Sequence, residues 1–106
     1  MNLNQLYYFK TLAKYEHYTK ASEALFISQP SLTHSIKELE KELNTLLFTR
    51  EGRNVKLCQE GKIFLKYVTQ ALDILDSGVE EINQFNQNNK KTIEVGVIST
   101  VINNYF

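Results

Sequence analysis

Apolar residues and glycines recur at alternating intervals of three and four residues from Gly61 to Phe85. This spacing keeps one face of an α-helix apolar over several turns, as in a coiled-coil seam. It predicts one long helix from Gln59 to about Phe85. Because a single small domain cannot cover a stripe of that length, we expect its far half to pair with a second copy of the chain.

The predicted dimer interface runs along this seam, although an apolar stripe can also pack on its own domain. The first turns of the helix, near Phe64, are expected to pack in that second way. The spacing leaves open whether two such helices run parallel or antiparallel. The residues assigned to the dimer interface are Phe64, Val68, Ala71, Leu75 and Ile82.

Three shorter helices are predicted before the long one. Asn2 followed by Gln5 forms a capping-box-like start for the first helix. Thr19 can cap the second helix and Ser28 the third, where Pro30 lies in the first turn and its missing N–H costs nothing. The predicted ranges are 3–16, 20–26 and 29–43. The second and third of these helices, joined by a tight turn, constitute a helix-turn-helix.

Two strand-like segments follow at 46–50 and 54–57, with a turn at 51–53. A hairpin directly after a helix-turn-helix is a wing. This arrangement presents the second helix of the motif to the major groove of DNA, where Gln29 can bond adenine bidentately. An ordinary capped amphipathic helix has the same pattern. Arg53 can reach a minor groove or the DNA backbone, and a solvated turn arginine is the alternative.

The formal net charge of the chain is zero, which by itself argues against nucleic acid. Residues 1–57 carry eight Lys or Arg against six Glu, a balance of +2, so the positive excess lies where DNA contacts are predicted. Phosphate neutralisation supplies much of the affinity for DNA. A lone protomer is therefore expected to bind weakly, and a dimer is needed.

Other classes of function find little support in the residues. There is no catalytic constellation or P-loop, and His17 and His34 are not spaced as metal ligands. One cysteine, Cys58, excludes an internal disulfide framework. We expect no cofactor, no metal, no signal peptide, no membrane span and no enzyme activity, and we place the protein in the cytoplasm.

At four places the sequence resembles the LysR-type transcriptional regulators of bacteria. Residues 21–33 are similar to their signature AAxxLxxSQPxxS, 36–43 to IxxLExxL and 47–50 to LFxR, and Gly61 matches a glycine that opens their linker helix. The resemblance covers nearly the whole chain. It implies a mostly α fold, a winged helix-turn-helix with a two-stranded wing followed by a long dimerisation linker helix. It also implies antiparallel linker helices and a homodimer on an interrupted inverted repeat in double-stranded promoter DNA.

Carried over by position, the resemblance implies DNA contacts from the second helix, the start of the third helix and the wing. His34 stands where the family usually has Arg. Arg50 is expected to pair with Glu40 and to hold the wing to the third helix rather than to touch DNA. The residues assigned to DNA binding are Thr19, Lys20, Ser22, Gln29, Pro30, Ser31, Thr33, His34, Lys37 and Arg53.

The chain is divided into a DNA-binding domain at 1–58, a linker helix at 59–87, and a hinge with the first strand of a truncated effector-binding domain at 88–106. We expect a longer parent protein that senses a small-molecule effector and can form a tetramer. Ser99 and Thr100 are assigned to its effector site, because hydroxyls between a strand and a helix start suit an anionic ligand.

Two positions depart from the family pattern within the helix ends. Asn44 replaces the usual Gly after the third helix, and asparagine tolerates the left-handed conformation that this position needs. Cys58 replaces the Thr that caps the linker helix, and a thiol is a poor cap.

Two alternatives to a LysR-type regulator stay open. A near-neutral helical dimer can use its winged helix to bind protein instead of DNA. Lys20, Lys37 and Arg53 on the surface that presents Gln29 and Thr33 would favour DNA. Another family of winged-helix regulators is disfavoured, because the long helix follows the wing instead of preceding it.

Overall fold

The structure is a computed structural model that describes residues 1–88. The elements are α1 (Leu3–Tyr15), α2 (Tyr18–Leu25), α3 (Gln29–Leu43), β1 (Phe48–Glu51), β2 (Asn54–Leu57) and α4 (Gln59–Asn88). The predicted mostly helical fold with a two-stranded wing and a long final helix is confirmed. The strand-like segment at 93–98 and the two predicted effector residues, Ser99 and Thr100, lie outside the described residues.

The chain divides into two compact units, Met1–Thr69 and Gln70–Phe106. The first unit contains the helix-turn-helix, the wing and the opening turns of α4. Its buried core is mostly apolar and draws on α1, α2, α3 and the wing. The largest fully covered side chains of that core are Phe9, Leu12, Leu32, Ile36, Leu39, Leu47 and Val55.

Phe9 lies at the centre of this core. Its ring centroid is 5.5 Å from that of Phe48 in the wing and 5.3 Å from that of Phe64 in α4. Edge-to-face and tilted aromatic contacts at such distances add stabilisation beyond the area that they bury. Phe9 therefore ties the wing and the start of α4 to α1.

The second helix begins two residues earlier than the sequence predicts, because its cap is His17 and not Thr19. The Nδ1 atom of His17 accepts a hydrogen bond of 3.2 Å from the backbone N–H of Lys20. A ring nitrogen can take the place of the hydroxyl or carboxylate oxygen that more often satisfies the first free N–H groups of a helix. Thr19 therefore lies inside the first turn, and its hydroxyl does not cap the helix.

The third helix has the predicted bounds. The Ser28 hydroxyl oxygen accepts from the backbone N–H of Ser31 at 3.2 Å, and Pro30 lies in the first turn. At the other end Asn44 adopts the left-handed conformation with φ of 54°, and its N–H donates to the Lys41 carbonyl. The expectation that asparagine can serve where the family uses glycine is confirmed.

The wing is anchored to the joint between α1 and α2. The backbone N–H of Val55 donates to the Glu16 carbonyl at 3.1 Å, and the strands pair antiparallel with Glu51 opposite Asn54. The two-residue turn begins at Gly52, whose φ of 61° favours glycine. This anchoring brings the turn residue Arg53 beside the start of α2.

The second unit contains the later turns of α4. Leu72 is fully buried, whereas Ile74, Leu75 and Ile82 are 70%, 43% and 47% exposed. This part of the helix thus carries large apolar side chains on its surface. Within residues 1–88, none of the helices is long and apolar enough to cross a membrane.

Candidate nucleic-acid interface

A cleft opens between the helix-turn-helix and the wing. Its volume is about 270 Å³, and it is lined by His17, Tyr18, Thr19, Gln29, Arg50 and Arg53. The start of α2, the first residue of α3 and both arginines of the hairpin therefore meet at one place. Two guanidinium groups beside a threonine hydroxyl and a glutamine amide form a donor-rich surface, which suits an anion such as a phosphate.

The start of α3 is exposed next to this cleft. Gln29, Pro30, Ser31 and His34 all lie on the surface, and Thr33 is half-buried. The helix start is thus available to a partner, as the sequence predicts. Ser31 is also engaged locally, because its hydroxyl oxygen accepts a hydrogen bond of 2.8 Å from the hydroxyl of the capping Ser28.

A hydrogen bond connects the two helices across the cleft. The hydroxyl of Thr19 donates to Oε1 of Gln29 over 3.2 Å. Both residues are exposed, so the pair lies on the surface that the cleft presents to solvent. The sequence assigned both residues to DNA binding but did not predict their contact, because ten positions separate them.

The assignment of Ser22 to DNA binding is wrong. Ser22 is only 5% exposed, and its hydroxyl donates to the Thr19 carbonyl at 2.9 Å. A buried hydroxyl that already has an acceptor within its own helix has no free surface for a phosphate. Ser22 instead holds the first turn of α2 and with it the backbone of Thr19.

The predicted pairing of Arg50 with Glu40 is also wrong. The Glu40 carboxylate accepts from the backbone N–H groups of Leu47 at 2.7 Å and Phe48 at 3.3 Å, so it anchors the entry to the wing. In the described part of the chain Arg50 forms no ion pair. Its guanidinium carbon instead lies 5.3 Å from the ring centroid of Tyr18.

Arg50 was not assigned to DNA binding because it was expected to pair with Glu40 and so to hold the wing to the third helix. In the structure its side chain is exposed along the cleft. Burial raises the pKa of Tyr18 above its usual value of 10.0, the Glu40 carboxylate raises it further, and the Arg50 guanidinium lowers it. The ring under Arg50 is therefore a neutral phenol at neutral pH.

The remaining predicted cations take separate positions. Lys20 is exposed and follows Thr19 directly in the first turn of α2. Lys37 is exposed two turns along α3 from Gln29 and lines a different hollow with Glu40, Lys41 and Asn44. Of the cations that the sequence assigned to DNA binding, Arg53 lines the cleft with Gln29, whereas Lys37 does not.

The structure divides the predicted dimer residues into two groups. Val68 is 4% exposed and Phe64 packs on Phe9, so both are covered within a single chain. Ala71, Leu75 and Ile82 are exposed. The seam predicted from spacing thus mixes residues that face the chain's own core with residues that face solvent, because a straight helix drifts relative to a repeat of three and four.

Cys58 precedes α4 but does not cap it with its side chain. Its thiol donates to the Leu46 carbonyl at 2.9 Å, and its backbone N–H donates to the Leu47 carbonyl at 3.0 Å. The thiol thus joins the end of the wing to the loop before it. Over the described range, no cluster of His, Cys, Asp or Glu is arranged to hold a metal ion.

Solved structures with substantial sequence identity to this chain have a similar fold. The BenM_DBD/benA site 1 DNA complex matches with a TM-score of 0.76 and 35% identity, over 80% of this chain and 99% of that one. The CbnR_DBD-DNA complex matches with a TM-score of 0.73 and 28% identity, over 76% of this chain and 93% of that one.

Sequence comparison likewise finds similarity to transcriptional regulators. The transcriptional regulator CitR of Bacillus subtilis is 39% identical over 97 residues, or 92% of this chain and 33% of CitR. The transcriptional dual regulator GltC of the same organism is 40% identical over 96 residues, or 91% of this chain and 32% of GltC. The chain spans about a third of the length of these relatives. The family model of bacterial regulatory helix-turn-helix proteins of the lysR family matches residues 3–62. The chain therefore belongs to the LysR family of bacterial helix-turn-helix regulators.

Proposed function

We propose that this chain is the DNA-reading and dimerising part of a transcription regulator, and that it binds double-stranded promoter DNA at an interrupted inverted repeat. The observation that carries the proposal is the cleft in which Thr19, Gln29, Arg50 and Arg53 meet. A base-reading residue at the start of α3 lies there beside cations from the wing. Protein–DNA interfaces combine these two kinds of contact, in which phosphate contacts position the protein and base contacts specify the sequence.

The roles of the individual residues follow from their places. Gln29 and Thr33 are proposed to face base edges in the major groove, with Pro30, Ser31 and His34 beside them. Lys20, Arg50 and Arg53 are proposed to contact phosphates, since their side chains are exposed around the cleft. Lys37 is proposed to contact the backbone farther along the groove. These roles are consistent with the DNA complexes of BenM_DBD and CbnR_DBD, whose chains have the same fold.

The dimer is proposed to form through the exposed apolar side chains of α4. Ala71, Leu75 and Ile82 from the sequence prediction are joined here by Ile74, which is 70% exposed. Burying such side chains in an interface removes apolar area from water, which stabilises the dimer by about 25 cal/mol for each Å² buried. Two copies on an inverted repeat double the number of phosphate contacts, which a chain of zero net charge requires for useful affinity.

The parent protein is proposed to carry an effector-binding domain after α4 and to regulate transcription in response to a small molecule. The support for this is the family membership together with relatives about three times as long as the chain. Ser99 and Thr100 are proposed as effector contacts in that longer protein, which is also proposed to form tetramers.

The test selects DNA from a random duplex pool with the purified chain and then measures affinity by fluorescence anisotropy. At physiological salt we expect the selected duplex to bind far more tightly than a scrambled duplex of equal length. Gln29→Ala should reduce the ratio of the two affinities, and Lys20→Ala should lower both by a similar factor. Equal binding to selected and scrambled duplexes would refute sequence-specific regulation and favour the alternative of a protein-interaction module.

A further inference from the structure

The hydrogen bond between Thr19 and Gln29 bears on which base the glutamine reads. A glutamine side chain carries a carbonyl oxygen, which accepts through two lone pairs, and an amide nitrogen, which has two N–H donors. Bidentate recognition of adenine uses both, because the oxygen accepts from N6 and the nitrogen donates to N7. In this structure the oxygen already accepts from the Thr19 hydroxyl at 3.2 Å.

This engagement fixes the direction in which the amide points. The oxygen and the nitrogen branch from the same carbon in different directions within the plane of the carboxamide, so an oxygen held against α2 turns the nitrogen away from Thr19. Gln29 is exposed and is the first residue of α3. It therefore presents its two N–H donors to a partner, while its oxygen is directed towards α2.

Thr19 is itself held in place from both sides. The His17 ring caps the Lys20 N–H at 3.2 Å, and the buried Ser22 hydroxyl binds the Thr19 carbonyl at 2.9 Å. These two contacts fix the first turn of α2. At the other end of the pair, Ser28 caps the first turn of α3. The relative position of Thr19 and Gln29 is thus preorganised in the absence of DNA, as specific recognition requires.

We infer that Thr19 acts as a positioning residue that makes Gln29 a donor-only reader and so selects guanine over adenine at the base pair that Gln29 meets. Guanine presents two acceptors, O6 and N7, in the major groove, whereas adenine presents N7 beside an N6 donor. The amide N–H₂ can donate to both guanine atoms but is repelled by the adenine amino group. This inference rests on the proposed DNA-binding function and names the base preference of that same site.

The test is DNA selection from a random duplex pool with the unsubstituted chain and five variants. Gln29→Ala identifies the base pair concerned, as the position whose preference disappears. The unsubstituted chain should prefer guanine at that position. Thr19→Val keeps the branched shape but removes the hydroxyl, which frees the Gln29 oxygen to accept from adenine. We expect the guanine-to-adenine affinity ratio to fall by about tenfold, the size of one good bidentate contact.

Three controls separate positioning from simple contact. Thr19→Ser retains a hydroxyl and should restore the parental ratio. The double variant Thr19→Val with Gln29→Ala should show the same preferences as Gln29→Ala alone, since the effect acts through Gln29. Lys20→Ala, one residue away, should weaken all duplexes alike and leave the ratio unchanged.

Two results would overturn the inference while leaving the proposed function intact. One is an adenine preference of the parent chain at the position that depends on Gln29. The other is a Thr19→Val variant that weakens guanine and adenine duplexes by the same factor, which would make Thr19 a backbone contact only. A parent chain that selects no sequence at all would instead refute the proposed function.

Discussion

The guanidinium carbon of Arg50 lies 5.3 Å from the ring centroid of Tyr18, over the first residue of α2. Stacking on an aromatic ring holds an arginine in one orientation without using its N–H donors. Arg50 therefore presents a preorganised cation at the cleft that also contains Arg53 and Gln29.

Replacing Arg50 with Ala should weaken binding to every DNA sequence about tenfold, the value of one charge-assisted contact. Because one fewer phosphate is neutralised, the slope of log affinity against log salt should become shallower by about one. Anisotropy titrations over a series of salt concentrations measure both quantities. An unchanged slope together with a lower melting temperature would mean that Arg50 has only a structural role.

Gly61→Ala should destabilise the first unit by about 1–3 kcal/mol. A Cβ at this position would lie 2.7 Å from the Leu57 side chain and would collide with the Leu47 carbonyl oxygen, which is backbone and cannot easily give way. Urea unfolding followed by circular dichroism at low protein concentration measures the loss.

Gly78→Ala in the same helix is the matched control for Gly61. A Cβ there meets nothing within 4 Å. The substitution should raise stability by about 0.5–1 kcal/mol, because alanine loses less backbone entropy in a helix than glycine. If both variants change the free energy of unfolding in the same direction, the close packing of Gly61 against the wing does not explain the effect of Gly61→Ala.

The raised pKa of Tyr18 predicts a loss of stability in alkaline solution. The unfolded chain loses this proton near the usual value of 10.0, whereas the folded chain keeps it to higher pH because of burial and the Glu40 carboxylate. The contribution is fully present below pH 10 and is lost as pH rises through the folded pKa. Tyr18→Phe should therefore show a shallower fall in the free energy of unfolding as pH rises above about 10. An identical fall in both proteins would count against a raised pKa at this residue.

Leu75→Glu should convert the proposed dimer to monomers, because a carboxylate cannot be buried against the apolar face of a second α4 without a large cost. Sedimentation velocity measures the change. Gln84→Glu is the matched control, since it introduces the same charge at an exposed position half a turn around the helix from Leu75. A Leu75→Glu variant that sediments as the parent does would remove Leu75 from the interface.

The sequence alone determined the order and the type of the elements. Ser28, Pro30 and Asn44 give the third helix its two ends through local chemistry, namely a hydroxyl cap, a proline in the first turn and an asparagine that tolerates positive φ. Gly52 likewise marks the turn of the wing. Such signals act within four or five residues, so they are readable without the fold.

Only the tertiary structure decided which side chains are free to act. The sequence assigned both Ser22 and Thr33 to DNA binding. Thr33 is half-buried, whereas Ser22 is buried and its hydroxyl donates to the Thr19 carbonyl. Arg50 is exposed over Tyr18, and the Oε2 atom of Glu40 accepts from two backbone N–H groups of the wing entry instead of pairing with Arg50. Val68 and Leu75 share one apolar spacing, but only Leu75 is left uncovered. Which polar groups are bonded and which apolar faces are covered depends on residues that are distant in the chain. The local sequence therefore does not predict it.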